Sequence, residues 1–97
     1  MPEIHFQIQW PDGTWETCYS PSLVVKDYFT ASHSYPLNDF VSRSRIALMI
    51  ASERVQAKYG VPCGLALNQL ERIERQALNY QGKTDPPPEV TVLQFIE

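Results

Sequence analysis

The chain has 97 residues, of which 43% are aliphatic, aromatic or cysteine and 20% are charged, with a net charge of −3. This apolar content excludes a disordered chain, and the acidic balance gives no sequence-wide attraction for phosphate backbones, which bind clustered Lys and Arg. No stretch approaches the roughly 18 apolar residues of a membrane span, and MPEIHFQIQW lacks a basic segment followed by an apolar one; the expectation is one cytoplasmic domain over residues 1–97 with neither nucleic acid nor membrane as partner.

From the N-terminus, Ile4, Phe6, Ile8 and Trp10 alternate with His5, Gln7 and Gln9, the period-two pattern of a strand with one apolar face. Pro11-Asp12-Gly13-Thr14 supplies a hairpin turn, and a second strand follows over Trp15 to Ser20. The hairpin is expected to bring two tryptophans and a tyrosine near one another. Ser20-Pro21-Ser22 breaks the strand, and Ser20 or Ser22 can cap a short helical turn over Leu23 to Phe29. Thr30 to Pro36 is polar and turn-rich, so it reads as a loop.

Asn38 to Gly60 is the longest helical pattern, about 34 Å at roughly 1.5 Å per residue. Leu37, Phe40, Val41, Ser44, Leu48, Ala51, Val55 and Tyr59 form its core stripe, Asn38 or Asp39 can cap its start, and Gly60 followed by Pro62 ends it. Ile46, Met49, Ile50 and Ala57 lie roughly opposite, so the helix is apolar on two faces. A second helix, Leu65 to Tyr80, is amphipathic on one side and forms an antiparallel pair with the first. Gly82-Lys83-Thr84 mimics the end of a phosphate loop but lacks the preceding glycine and following helix, and is rejected. Asp85 and Pro86 to Pro88 form a stiff spacer before a last strand, Val90 to Ile96, whose apolar groups fall on both faces, as if it were covered twice. The fold class is α+β in the order ββααβ, with a three-stranded antiparallel sheet of order 2-1-3 and the helical hairpin on one face.

Cys18 and Cys63, with no secretory leader, read as free, buried thiols. Two Cys and two His without CxxC or HxxxH spacing make a poor zinc set, so neither metal nor cofactor is expected. The stretch CYSPSLVVKDYF and the loop beyond it hold the candidate ligand-binding groups Cys18, Ser20, Ser22, Asp27 and His33. Catalysis by them needs a nucleophile within reach of an oriented base. The plainer alternative is that Ser20 and Ser22 turn the backbone while Asp27 and His33 sit in solvent. Arg43, Arg45, Arg54 and Lys58 are interleaved with Asp39 and Glu53, which argues against DNA contact. Ile46, Met49 and Ile50 are the expected interface of a homo-oligomer, most simply a dimer.

The segments WPDG at Trp10 to Gly13, CYSPS at Cys18 to Ser22, SRSRIAL at Ser42 to Leu48, ASERV at Ala51 to Val55, KYG at Lys58 to Gly60 and QLERIE at Gln69 to Glu74 resemble the small bacterial family of nitrogen starvation response proteins. The resemblance implies a cytoplasmic protein encoded in a gene cluster with a nitrilase, a radical-SAM protein, an acetyltransferase and a flavoprotein. It implies no catalytic residues. The expected function is a non-catalytic accessory or regulatory protein that binds another protein of that nitrilase-linked pathway. The alternative is a small-molecule binder or small enzyme using the Cys18 to Asp27 stretch.

Overall fold

A computed structural model describes residues 3–83 and 86–97. Alternating apolar residues form β1 (Ile4–Gln9), which pairs antiparallel with β2 (Trp15–Ser20) through the expected turn. Gly13 sits at φ 92°, where a side chain would be strained, and Asp12 Oδ1 accepts bonds from the Thr14 amide and hydroxyl at 3.0 and 2.7 Å. Those two bonds hold the Asp12 carboxyl below the usual range.

The chain continues through α1 (Val25–Tyr28), β3 (His33–Pro36), α2 (Leu37–Tyr59), α3 (Gly64–Ala77), a 3-10 turn (Leu78–Tyr80) and β4 (Glu89–Ile96). The fold is α+β, with the helical hairpin α2–α3 on one face of an antiparallel sheet of order β2-β1-β4-β3. The expected order of second, first and last strand is present, but the sheet has four strands. The segment read as a loop supplies the fourth: His33–Pro36 pairs with β4 along Val92 to Glu89. Its polar, proline-ended sequence carries no strand signature, and pairing with β4 imposes the extended backbone. Thr84 of the rejected phosphate-loop reading and Asp85 of the spacer lie outside the described residues.

A second correction concerns β4. The register opposes Gln7 to Gln94 but Ile8 to Val92, so Leu93 is an extra residue in a β-bulge. Val90 and Val92 precede the bulge and Phe95 follows it, and all three turn toward the core, Phe95 opposite Phe6. The apparent two-faced apolarity of this strand is therefore one apolar face whose phase slips by a residue. Ile96 remains on the far side, 45% exposed.

The core lies between sheet and helices and is organised by a chain of rings. Phe6 stacks on Phe29, Phe29 touches Phe40, Phe40 meets Trp10 edge-on and Trp10 stacks on Tyr80, at centroid separations of 6.1, 5.3, 5.8 and 5.8 Å. Trp10 is thus buried while Trp15 is 64% exposed on the opposite sheet face, so the expected clustering of the two tryptophans does not occur. Trp10 Nε1 donates to Glu16 at 3.0 Å, and Arg72 of α3 holds the other Glu16 oxygen at 2.7 Å, so the indole is satisfied without leaving the core.

Neither long helix uses a side-chain cap. Pro36, not Asn38 or Asp39, stands at the N-cap of α2, and Asp39 instead pairs with Arg43 one turn on. Likewise Val24, not a serine, stands at the N-cap of α1. The C-terminal signal holds: Gly60 is left-handed at φ 87° and its amide bonds Gln56 O at 2.8 Å. Of the expected core stripe, Leu37, Phe40, Ser44, Leu48 and Ala51 are buried and Val41 and Val55 half-buried, but Tyr59 is 61% exposed because α2 runs past the sheet. The free edge of β2 is blocked by α3, whose Gln69 Oε1 accepts the Tyr19 amide at 3.0 Å. Gln69→Leu is expected to cost about 1 kcal/mol by leaving that amide unpaired. Urea denaturation checks this, with the midpoint shifted and the slope unchanged.

Candidate interaction surfaces

The polar groups singled out from the sequence do not assemble into one constellation. Ser20 Oγ donates to the Ser22 carbonyl at 2.7 Å and accepts the Ser22 amide at 3.3 Å, while Ser22 Oγ accepts the Val24 amide at 3.3 Å and Arg54 Nη1 at 3.0 Å. Both hydroxyls thus shape the turn into α1 and anchor it to α2. Cys18 points into the core from β2. Asp27 is exposed on α1, and His33 is exposed on β3 with Nδ1 3.1 Å from the Ala31 carbonyl. Among the described residues, the hydroxyl partners of the two serines are backbone groups and Arg54, none of them a base.

Both cysteines are free, as expected, but they differ. Cys18 is fully buried, and burial, reinforced by the nearby Glu16 carboxylate, pushes its thiol pKa well up. Cys63 is half-buried, contrary to the expectation of burial for both, because it precedes α3 in the connection beyond the core. Thiol titration with a disulfide reagent at pH 8 is therefore expected to modify Cys63 rapidly and Cys18 only on unfolding. The buried neutral Cys18 thiol contributes stability that is fully present below the unfolded thiol's range, near pH 8.5, and is lost as pH rises beyond it. Tyr19, next to Cys63 in space, is pushed up to about 12, first by desolvation and then by Cys63 and Glu3.

Two shallow concavities of about 450 and 570 Å³ meet at Tyr80, Lys83, Pro87 and Pro88, between the start of α2 and the β1–β2 turn. Their described lining contains no Ser, Cys or His, so none of the serine, cysteine or histidine groups singled out from the sequence opens onto them.

Apolar exposure marks the surface differently. On α2, Ile46 and Met49 are 46% and 42% exposed and Ile50 is half-buried, so the second face anticipated from the helical pattern is left uncovered by the described residues. Beside it, Arg45 pairs with Glu74 of α3 at 2.7 Å. A second group was missed. At the tip joining α2 to α3, Tyr59, Val61 and Leu65 are each more than 60% exposed. The missed signal was length: a 23-residue helix is longer than the sheet beneath it, so its last turn and the connection beyond have no sheet to pack on. The four basic residues of α2 are engaged within the chain, Arg43 by Asp39 and the Tyr28 carbonyl, Arg45 by Glu74, Arg54 by Ser22 and Lys58 over the ring of Tyr59.

A family model described as "Nitrogen starvation-induced protein NitG" matches residues 5–95, from within β1 to within β4. The chain belongs to the NitG family. Comparison with curated proteins and with solved structures finds no match. The NitG match takes in all of the sheet but its first and last residues, and both long helices, and with them the uncovered face of α2 and the apolar tip. The chain is accordingly a nitrogen-starvation-related protein. Among its described residues no helix is long and apolar enough to cross a membrane.

Proposed function

We propose that this NitG-family chain is a non-catalytic accessory protein that acts by docking to proteins, as a homodimer and through it to a protein of a bacterial nitrilase-linked nitrogen-starvation pathway. The observation that carries the reading is the exposure of large apolar side chains in two groups, Ile46 with Met49 on α2 and Tyr59, Val61 and Leu65 at the tip. Burying the exposed half of an Ile or Met side chain returns about 1 kcal/mol, a useful fraction of the stability of a domain this small. The face of α2 suits a second copy, because a two-fold axis beside it sets Ile46 and Met49 against themselves and brings together two Arg45–Glu74 pairs. The tip, at one end of a molecule 45 Å long, suits the pathway partner.

Affinity capture from nitrogen-starved cells tests the second half of this reading. The wild-type chain is expected to retain a protein encoded with the nitrilase, and Tyr59→Ser with Leu65→Ser to lose it while keeping the same thermal midpoint. Capture of no such protein, or equal capture by the tip variant, defeats it. The alternative of small-molecule binding through Cys18, Ser20, Ser22, Asp27 and His33 has less support, since the serine hydroxyls are committed to backbone and the other groups stand apart.

A further inference from the structure

The face of the sheet turned away from the helices is chemically unlike the rest of the molecule. None of the four strands contains a Lys or Arg. The eight basic residues of the chain all lie in helices and connections. On the open face, register places Trp15 beside Gln9, Gln7 beside Gln94, and Tyr19 beside His5. Contacts confirm the shared face: Gln94 Nε2 donates to Gln7 Oε1 at 2.8 Å, the Ser34 and Thr91 hydroxyls bond at 2.8 Å, and the His5 and Tyr19 rings meet edge-on at 5.6 Å. By the same alternation, the carboxylates Glu3 and Glu89 stand at the two ends of this face.

From this we infer that the open sheet face is a platform for a neutral, polyhydroxylated ligand, a short oligosaccharide lying along β2 and β1. Charge selects this class. With no Lys or Arg in the strands, a carboxylate at either end and the nearest cation, Arg72, already paired with Glu16 at the β2 edge, a polyanion such as a nucleic acid finds no cluster of cations to replace its counterions. The side chains suit hydroxyls: each amide carries donors and an acceptor together, and the Gln7–Gln94 bond leaves the Gln7 nitrogen and the Gln94 oxygen unused by each other. The aromatic groups are spaced for an extended chain. Trp15 is 64% exposed, and Tyr19 lies four residues further on the same side of β2, about 13 Å away at roughly 3.3 Å per residue. The exposed Trp15 ring and the half-buried Tyr19 ring, whose edge-on partner is His5, offer apolar surface on which the C–H faces of separate sugar rings can rest. Size points the same way. Strands about 4.8 Å apart and six residues long give a flat patch of roughly 300 Å², well short of the about 800 Å² per partner of a standard protein interface.

A flat site with few anchors binds weakly, in the millimolar range. The test is a titration of the isotope-labelled full chain, followed by amide and indole resonances, with maltohexaose, cellohexaose and chitohexaose to about 10 mM, and with an oligothymidylate as the anionic comparison. At least one oligosaccharide is expected to shift the Trp15 indole N–H and the Gln7 and Gln94 side-chain amides while leaving the α2 face unmoved. Trp15→Ala is expected to weaken that binding about tenfold with the thermal midpoint unchanged, since the ring is solvent-facing. No shift on the sheet face with any of the three sugars overturns the inference, as does an affinity indifferent to Trp15→Ala or equal binding of the oligothymidylate. None of these readings depends on the helix surfaces, so a failure here leaves the docking proposal untouched.

Discussion

Phe40→Ala is expected to destabilise the chain by about 3–5 kcal/mol and to lower the thermal midpoint by roughly 15–30 °C. Phe40 is fully buried, and its ring is the one link between two halves of the aromatic chain: Phe29 with Phe6 on one side, Trp10 with Tyr80 on the other. Those rings come from β1 and the residue after it, from the residue after α1, from α2 and from the 3-10 turn after α3, so one deletion loosens the sheet from both helices. The cavity cannot close by small movements, because Tyr35 packs on Phe29 from β3 and Arg43 of α2 lies over Tyr35 at 5.1 Å. Against a total of about 5–15 kcal/mol, such a loss leaves a marginal protein. Thermal unfolding followed by far-ultraviolet circular dichroism measures it. Phe40→Leu should retain about half the lost stability, and equal midpoints for Phe40→Ala and wild type would remove the ring chain from the account of the core.

Ile46→Glu combined with Met49→Glu is expected to convert the proposed dimer wholly to monomer. Four carboxylates facing one another across a two-fold axis, in place of four apolar side chains, combine lost burial with like-charge repulsion, an effect of several kcal/mol. Both positions are more than 40% exposed, so the monomer should keep its fold and its thermal midpoint at low concentration. Sedimentation at high micromolar concentration reads the outcome. A monomeric wild type rules the dimer out, and a dimer unaffected by the pair moves the contact away from α2, to the outer edge of β3.

The elements specified by local pattern were legible in the sequence: the β1–β2 hairpin, both long helices, the Gly60 stop and the pairing of the last strand with the first. What was not legible depended on partners distant in the chain. His33–Pro36 has no alternation of its own and becomes a strand because β4 offers a ladder. Leu93 looked like an apolar residue on a second face because a bulge is invisible until the register against β1 is known. Tyr59 fits the helical stripe at its spacing, and only the extent of the sheet shows that the helix has outrun it. The same holds for the candidate groups. Ser20 and Ser22 could be named from sequence, but whether a hydroxyl faces a ligand or its own backbone is a matter of a single turn's geometry. The exposed face of α2 was legible because it rests on helical periodicity alone.

The central strands of the sheet are β1 and β4, in which His5 stands opposite Ile96, so the innermost ladder joins the first element of the fold to the last. A ribosome releasing this chain at about 5–20 residues per second therefore exposes β1 and its hairpin, with Ile4, Phe6 and Ile8 uncovered, for several seconds before β4 emerges to pair with them. During that interval the finished helical hairpin can shelter one face of β1, but nothing occupies the edge that β4 will fill. Loop closure on this scale delays folding and leaves a nascent strand open to pairing with its neighbours on the same message. Abundant synthesis of such a chain would place a corresponding demand on whatever holds nascent polypeptides apart.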